Sequence, residues 1–139
     1  MTNLQIQSYL HSLPAPKAAM LQALHQAIQE KFSHKEISFL DGKDESGKIV
    51  SNPNIGYGSQ FIHYKDGSSR PFYQVGITAT SKGISVYLLS IKDKSFLKNN
   101  YATRIGKANV TGYCIQFKSL TEIDQTVLFE AIAYAFNQG

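Results

Sequence analysis

A chain of 139 residues can bury roughly two thirds of its unfolded surface around one core, so a single domain over residues 1–139 is expected. Apolar residues make up 42% and charged residues 17%, which excludes a disordered chain, and no apolar run approaches the roughly 18 residues of a membrane-spanning helix. The net charge is +4, and the lone cysteine, Cys114, excludes an internal disulfide and any metal site built on several thiolates.

The first residues, Met1-Thr2-Asn3-Leu4-Gln5, lack the basic start and long apolar stretch of a signal peptide. With one cysteine, this points to a reducing cytoplasm. Leu4, Ile6, Tyr9, Leu10 and Leu13 have the spacing of a short amphipathic helix over residues 3–13. Pro14 and Pro16 interrupt it and suit the first turn of a second helix. There Ala19, Met20, Ala23, Leu24, Ala27 and Ile28 mark one apolar face over residues 15–31. Residues 41–48 are turn-forming and charged, a surface loop closed by Asn52-Pro53-Asn54.

Residues 55–65, 71–80 and 84–91 are rich in aromatic and β-branched side chains. They are separated by Asp66-Gly67-Ser68-Ser69 and by Lys82-Gly83, so three antiparallel strands in a meander are expected. Residues 94–105 predict a helix stopped by Gly106, and residues 112–118 a fourth strand. Ser119 and Glu122 fit a capping box, with Asp124 as an alternative cap, before a last helix over residues 123–137. The expected fold class is α+β: an antiparallel β-meander with N-terminal and C-terminal helices packed on one face.

Charge is unevenly spread. Lys82, Lys92, Lys94, Lys98, Arg104, Lys107 and Lys118 face only Asp93, so the segment from 82 to 118 carries +6. Such a field attracts anions over about 8 Å at physiological salt. The lysines are scattered and lack a stacking platform, so no tight nucleic-acid binding is expected.

Three groups of residues could carry chemistry. Tyr57, His63, Tyr64, Arg70, Tyr73, Tyr87 and Tyr113 form an unusual aromatic and basic set. Strand side chains alternate, so a sheet face free of helices can present Tyr57, His63, Arg70, Tyr73 and Tyr87 to a planar or anionic ligand. The same tyrosines can equally cap a thin core with their hydroxyls in water. The glycine-flanked loop from Gly106 to Gly112 places Lys107 among free backbone N–H groups that can hold a phosphate or carboxylate. It is not a P-loop, and its glycines also serve as a helix stop and a strand start. Cys114 reads as a small buried hydrophobe, since a nucleophilic thiol needs a base and electropositive surroundings. No histidine pair has ligand spacing, so no metal site and no cofactor are expected.

Several runs together resemble the YdhG-like family, a domain of unknown function. They are Ile55-Gly56-Tyr57-Gly58-Ser59, then His63-Tyr64-Lys65 and Gly67, and Val75-Gly76-Ile77 followed by Ser85-Val86-Tyr87. Ile105-Gly106-Lys107, Thr111-Gly112-Tyr113-Cys114-Ile115, and Leu120 with Ile123-Asp124 before a helix complete the pattern. The resemblance implies a small α+β sheet domain, often a stand-alone bacterial protein, with no established catalytic residues. One branch of the family is associated with frataxin-like iron delivery. Here the only acidic cluster, Asp41, Asp44 and Glu45, is interleaved with Lys43 and Lys48, unlike a row of hard carboxylate ligands. Thr78-Ala79-Thr80-Ser81 also stands where the family usually places a basic dipeptide.

The expected function is a non-enzymatic binding module for a small anionic or planar ligand, or for a protein partner. The candidate ligand-binding residues are Tyr57, His63, Arg70, Tyr73, Tyr87 and Lys107. The alternatives are an enzyme using His63 and the Lys107 loop, and an iron carrier. The sequence does not set the oligomeric state.

Overall fold

The computed structural model describes residues 2–49 and 51–138. Two N-terminal helices come first, α1 (Thr2–His11) and α2 (Ala15–Lys31). Pro14 and Pro16 flank the start of α2, where a missing N–H costs nothing. Leu21, Leu24, His25 and Ile28 recur at three and four residues and form its buried face.

The main sheet has six antiparallel strands: β1 (Ile37–Leu40), β2 (Asn54–Tyr57), β5 (Val75–Thr80), β6 (Gly83–Leu88), β7 (Asn109–Val110) and β8 (Cys114–Phe117). Their order across the sheet is β1-β2-β5-β6-β8-β7. Between β2 and β5 stands a separate hairpin, β3 (Gln60–His63) with β4 (Ser69–Phe72). Two more helices follow in the chain, α3 (Phe96–Tyr101) and α4 (Gln125–Phe136). The chain is therefore α+β, with helices at both ends of an antiparallel sheet.

The strands expected over 55–65 and 71–80 each break in the middle. Tyr57 pairs with Val75 and Gln60 with Phe72, so both halves keep one register and form a single bent ribbon. The bend falls at Gly58-Ser59, opposite Tyr73-Gln74. Gly58 has φ +74°, a left-handed conformation that a β-carbon would strain, and its N–H turns to the Glu36 carbonyl of the neighbouring segment. Gln74 locks the other side, donating from Nε2 to the Phe136 carbonyl. The hairpin thereby leaves the main sheet.

Other differences are local. β1 and β7 were not expected; both are edge strands too short for alternation to stand out. α3 is shorter than residues 94–105, because Asp93 and Ser95 close a turn before it and the chain after Ala102 turns to bury Ile105. Ser119 caps only a single 3-10 turn over Leu120–Glu122. Asp124 is the cap of α4, its Oδ1 accepting from the N–H groups of Thr126 and Val127.

One face of the sheet carries the core. Ile55, Val75, Ile77, Ile84, Val86, Leu88, Ile115 and Phe117 lie on it and join Leu21, Leu24 and Ile28 of α2 and Leu128, Ala131, Ile132 and Ala135 of α4 in one apolar cluster. Truncating a fully buried member such as Ile77 to alanine is expected to cost about 2–5 kcal/mol. α1 serves the sheet edge. β5 extends beyond the end of β2, and the Tyr9 hydroxyl accepts from the N–H of Ala79 at 2.9 Å where a strand partner is missing. The same hydroxyl lies 3.1 Å from Thr78 Oγ1.

Tyr57 corrects an expectation. It was placed on the open face, but it is 1% exposed, and its hydroxyl meets His25 Nδ1 of α2 at 2.5 Å. The break at Gly58 uncouples its side-chain direction from those of Phe61 and His63, and the pleat of β2 turns it toward the helices with Ile55. Burial lowers the His25 pKa from its ordinary 6.5 and raises that of Tyr57, so both are neutral at pH 7. Below pH 6.5 the unfolded chain takes up a proton that folded His25 refuses, so stability falls with pH until the folded histidine protonates too. Denaturant unfolding of wild type and His25→Gln should therefore show a stability difference that moves against wild type as pH drops below 6.5. A difference that stays constant with pH would contradict this.

Candidate ligand-binding face

The face away from the helices is built from small and polar residues. Pairing aligns Ser38, Gly56, Gly76, Tyr87 and Cys114 in one row across five strands. Neighbouring strands lie about 4.8 Å apart, so the two glycines leave a bare strip of backbone roughly two strands wide. The ring of Tyr73 fills it. A β-carbon on Gly76 would come within 2.5 Å of Tyr73 Cε1, and one on Gly56 within 2.8 Å of Tyr73 Cδ2. The ring therefore lies flat on bare backbone, an aromatic compensating for glycines in a sheet. Tyr73 is only 6% exposed, yet no helix covers it.

Around that floor is a groove of about 450 Å³, walled by Leu40, Asn54, Phe72, Tyr87, Leu89 and Tyr113. Tyr87 and Tyr113 stack at 6.2 Å between centroids with planes 15° apart. Tyr113 is 55% exposed, so its ring forms an outer wall. Phe72 lies against Tyr73 at 4.5 Å. The Tyr73 hydroxyl points toward Asn54 Oδ1 at 3.5 Å. Beyond the aromatic half runs a polar row in which Gln116 Nε2 donates to Ser85 Oγ at 3.2 Å, while Thr78 Oγ1 donates to the Pro53 carbonyl at 2.5 Å.

The floor is uncharged at neutral pH. Burial, aided by Tyr87 and Cys114, holds the Tyr73 hydroxyl protonated far above the usual range. Tyr87 is raised by burial and then by Cys114. Burial also raises the Cys114 thiol, against weaker opposing hydrogen bonds from Ser85 and Val86. This is the setting of an inert thiol, not of a nucleophile.

Of the expected site residues, the structure brings together Tyr73 and Tyr87 and separates Tyr57, His63 and Lys107 from them. Tyr57 lies on the opposite face. His63 is exposed on the β3–β4 hairpin. Arg70 pairs with Ile62 in that hairpin, and its side chain lies outside the described residues. Lys107 stands beside β7 at the far edge of the sheet, exposed, 3.6 Å from Glu122. Leu40, Asn54, Phe72 and Leu89 line the groove without having been singled out in sequence. The tyrosine-rich set and the paired glycines were the only local signal. Asp44 of the acidic cluster is occupied within its own turn, accepting from the N–H groups of Ser46 and Lys48. Among the described residues, no group of three or more His, Cys, Asp and Glu side chains is placed to hold a metal ion. No described helix is long and apolar enough to cross a membrane.

Comparison with protein-family models, with curated proteins and with solved structures gives no match to this chain.

Two outcomes test the geometry. Gly76→Ala should destabilise the fold by about 1–3 kcal/mol through collision with Tyr73, and the added cost should shrink in a Tyr73→Ala background. Additive costs would mean that the ring does not lie on Gly76. Cys114 should react with a thiol reagent far more slowly in the folded than in the unfolded chain, with its inflection above the ordinary thiol value. Equal rates in the two states would contradict the burial argument.

Proposed function

We propose that this chain is a YdhG-like, non-enzymatic binding module whose open sheet face takes a planar aromatic group between Tyr113 and the Tyr73 floor. The carrying observation is the groove itself: about 450 Å³, within the range of small-ligand sites, with an aromatic floor and wall ordered in advance. Stacking on a tyrosine adds about 0.5–1.5 kcal/mol beyond buried area, and rings already held in place lose little freedom on binding. Asn52, Asn54 and Ser51 on the rim supply polar contacts to orient a heteroaromatic edge.

An uncharged floor favours the planar over the anionic form of the expected ligand. The runner-up, an enzyme built on His63 and the Lys107 loop, draws no support from the arrangement. His63 stands on the hairpin beyond β2 and β5, and Lys107 stands beside β7 on the other side of the sheet. A single protonated, half-buried thiol suits a reducing cytoplasm.

The test is a thermal-shift screen of heteroaromatic fragments against aliphatic ones of equal size, since a ligand that binds only the native state raises the Tm. Heteroaromatic fragments should raise the Tm of wild type, and Tyr87→Ala with Tyr113→Ala should abolish the rise. Shifts that survive in the double variant, or no shift with any aromatic fragment, would overturn the reading.

A further inference from the structure

A second concavity, of about 740 Å³, opens at the other end of the sheet, outside the tyrosine groove. Three separate segments form it: the β5–β6 turn with Lys82, the end of β8 with Lys118, and the loop before β7 with Lys107. Three ammonium groups thus border one hollow, and Glu122, 3.6 Å from Lys107, is the only carboxylate among its lining residues. The balance is +2. Elsewhere in the basic segment Arg104 pairs with Glu130 at 2.9 Å, whereas in this hollow three lysines share one carboxylate. A concave wall concentrates such a field, whereas the same charges spread on a convex surface would be screened separately.

Asn109 and Gln116 add polar side chains to the lining. Gln116 is fixed, because its Nε2 is held by Ser85 and Thr80, so this part of the wall is set before any ligand arrives. The chemistry of the cations is selective. Lysine offers a compact point charge that suits phosphate oxygens from any direction. The planar fork of arginine, which matches a carboxylate, is absent from this lining. The hollow is larger than one phosphate requires, and its lysines come from three segments of the chain.

From this geometry we infer a binding site for a small anion carrying two or more phosphate groups, held by Lys82, Lys107 and Lys118. This site goes beyond the tyrosine groove, and neither depends on the other.

Inorganic pyrophosphate is the direct probe, titrated into the whole protein at low ionic strength and followed by amide chemical shifts and calorimetry. Saturable shifts should appear at Ser81, Lys82, Asn109 and Lys118. Lys82→Ala and Lys118→Ala should each weaken binding about fivefold, as for loss of one exposed charge contact. Lys92→Ala with Lys94→Ala, in the same basic segment but outside the hollow, should leave the affinity unchanged. Tyr87→Ala should also leave it unchanged, so failure of this site and failure of the aromatic reading are told apart. The inference is overturned by shifts that never saturate, or by equal weakening in the Lys92/Lys94 variant. It is likewise overturned if a single-stranded oligonucleotide binds the same lysines more tightly than pyrophosphate.

Discussion

Gly56 and Gly76 stand opposite each other in adjacent strands, and the ring of Tyr73 occupies the space where their side chains would be. Much of the open face follows from that contact. The ring reaches the glycines only because the ribbon bends at Gly58 and Gln74, which turns Tyr73 off the strand line and back over the sheet. The bend also sends β3 and β4 out of the sheet as a separate hairpin. Tyr87 neighbours Gly76 in register, so the floor continues into the Tyr87–Tyr113 stack without a gap. A side chain at either glycine would displace the ring and take the groove with it.

The two faces of the sheet divide the work. On the helix side, the aliphatic runs of β5, β6 and β8 bury their side chains against α2 and α4, where close packing supplies most of the stability. On the other side, glycine, serine, threonine and glutamine leave little to pack; the inter-strand ladder satisfies the backbone there, and the polar side chains pair with one another. Hydroxyls and amides there bond across strands, as between Gln116 and Ser85, and no buried side-chain nitrogen or oxygen among the described residues is left without a partner. The open face thus stays flat at one end, aromatic in the middle and basic at its far rim.

Much of this was legible in the sequence, and the failures have physical causes. Helix α2 was read to its limits, because its apolar spacing and flanking prolines act locally. The α+β class followed from the order of elements. The assignment of Tyr57 and His63 to one open face failed because it carried alternation along an unbroken strand from 55 to 65. A left-handed glycine inside a strand pattern resets side-chain direction, and alternation cannot be carried through it. Tyr73 and Tyr87 meet on the open face because the bend turns Tyr73 away from the side of Val75 and Ile77, where alternation along an unbroken strand would put it. The convergence of Lys82, Lys107 and Lys118 was hidden for another reason. They lie 25 and 11 residues apart in the chain, and only the antiparallel pairing of β6, β7 and β8 brings their segments to one edge.

The contact between Tyr73 and the paired glycines is open to direct measurement by proton NMR. A ring lying flat over Gly56 and Gly76 shields the α-protons beneath it. The account predicts upfield-shifted α-protons at both glycines, cross-relaxation between them and the Tyr73 ring protons, and return to ordinary positions in Tyr73→Leu. Ordinary glycine shifts in wild type, with no cross-relaxation to the ring, would contradict it.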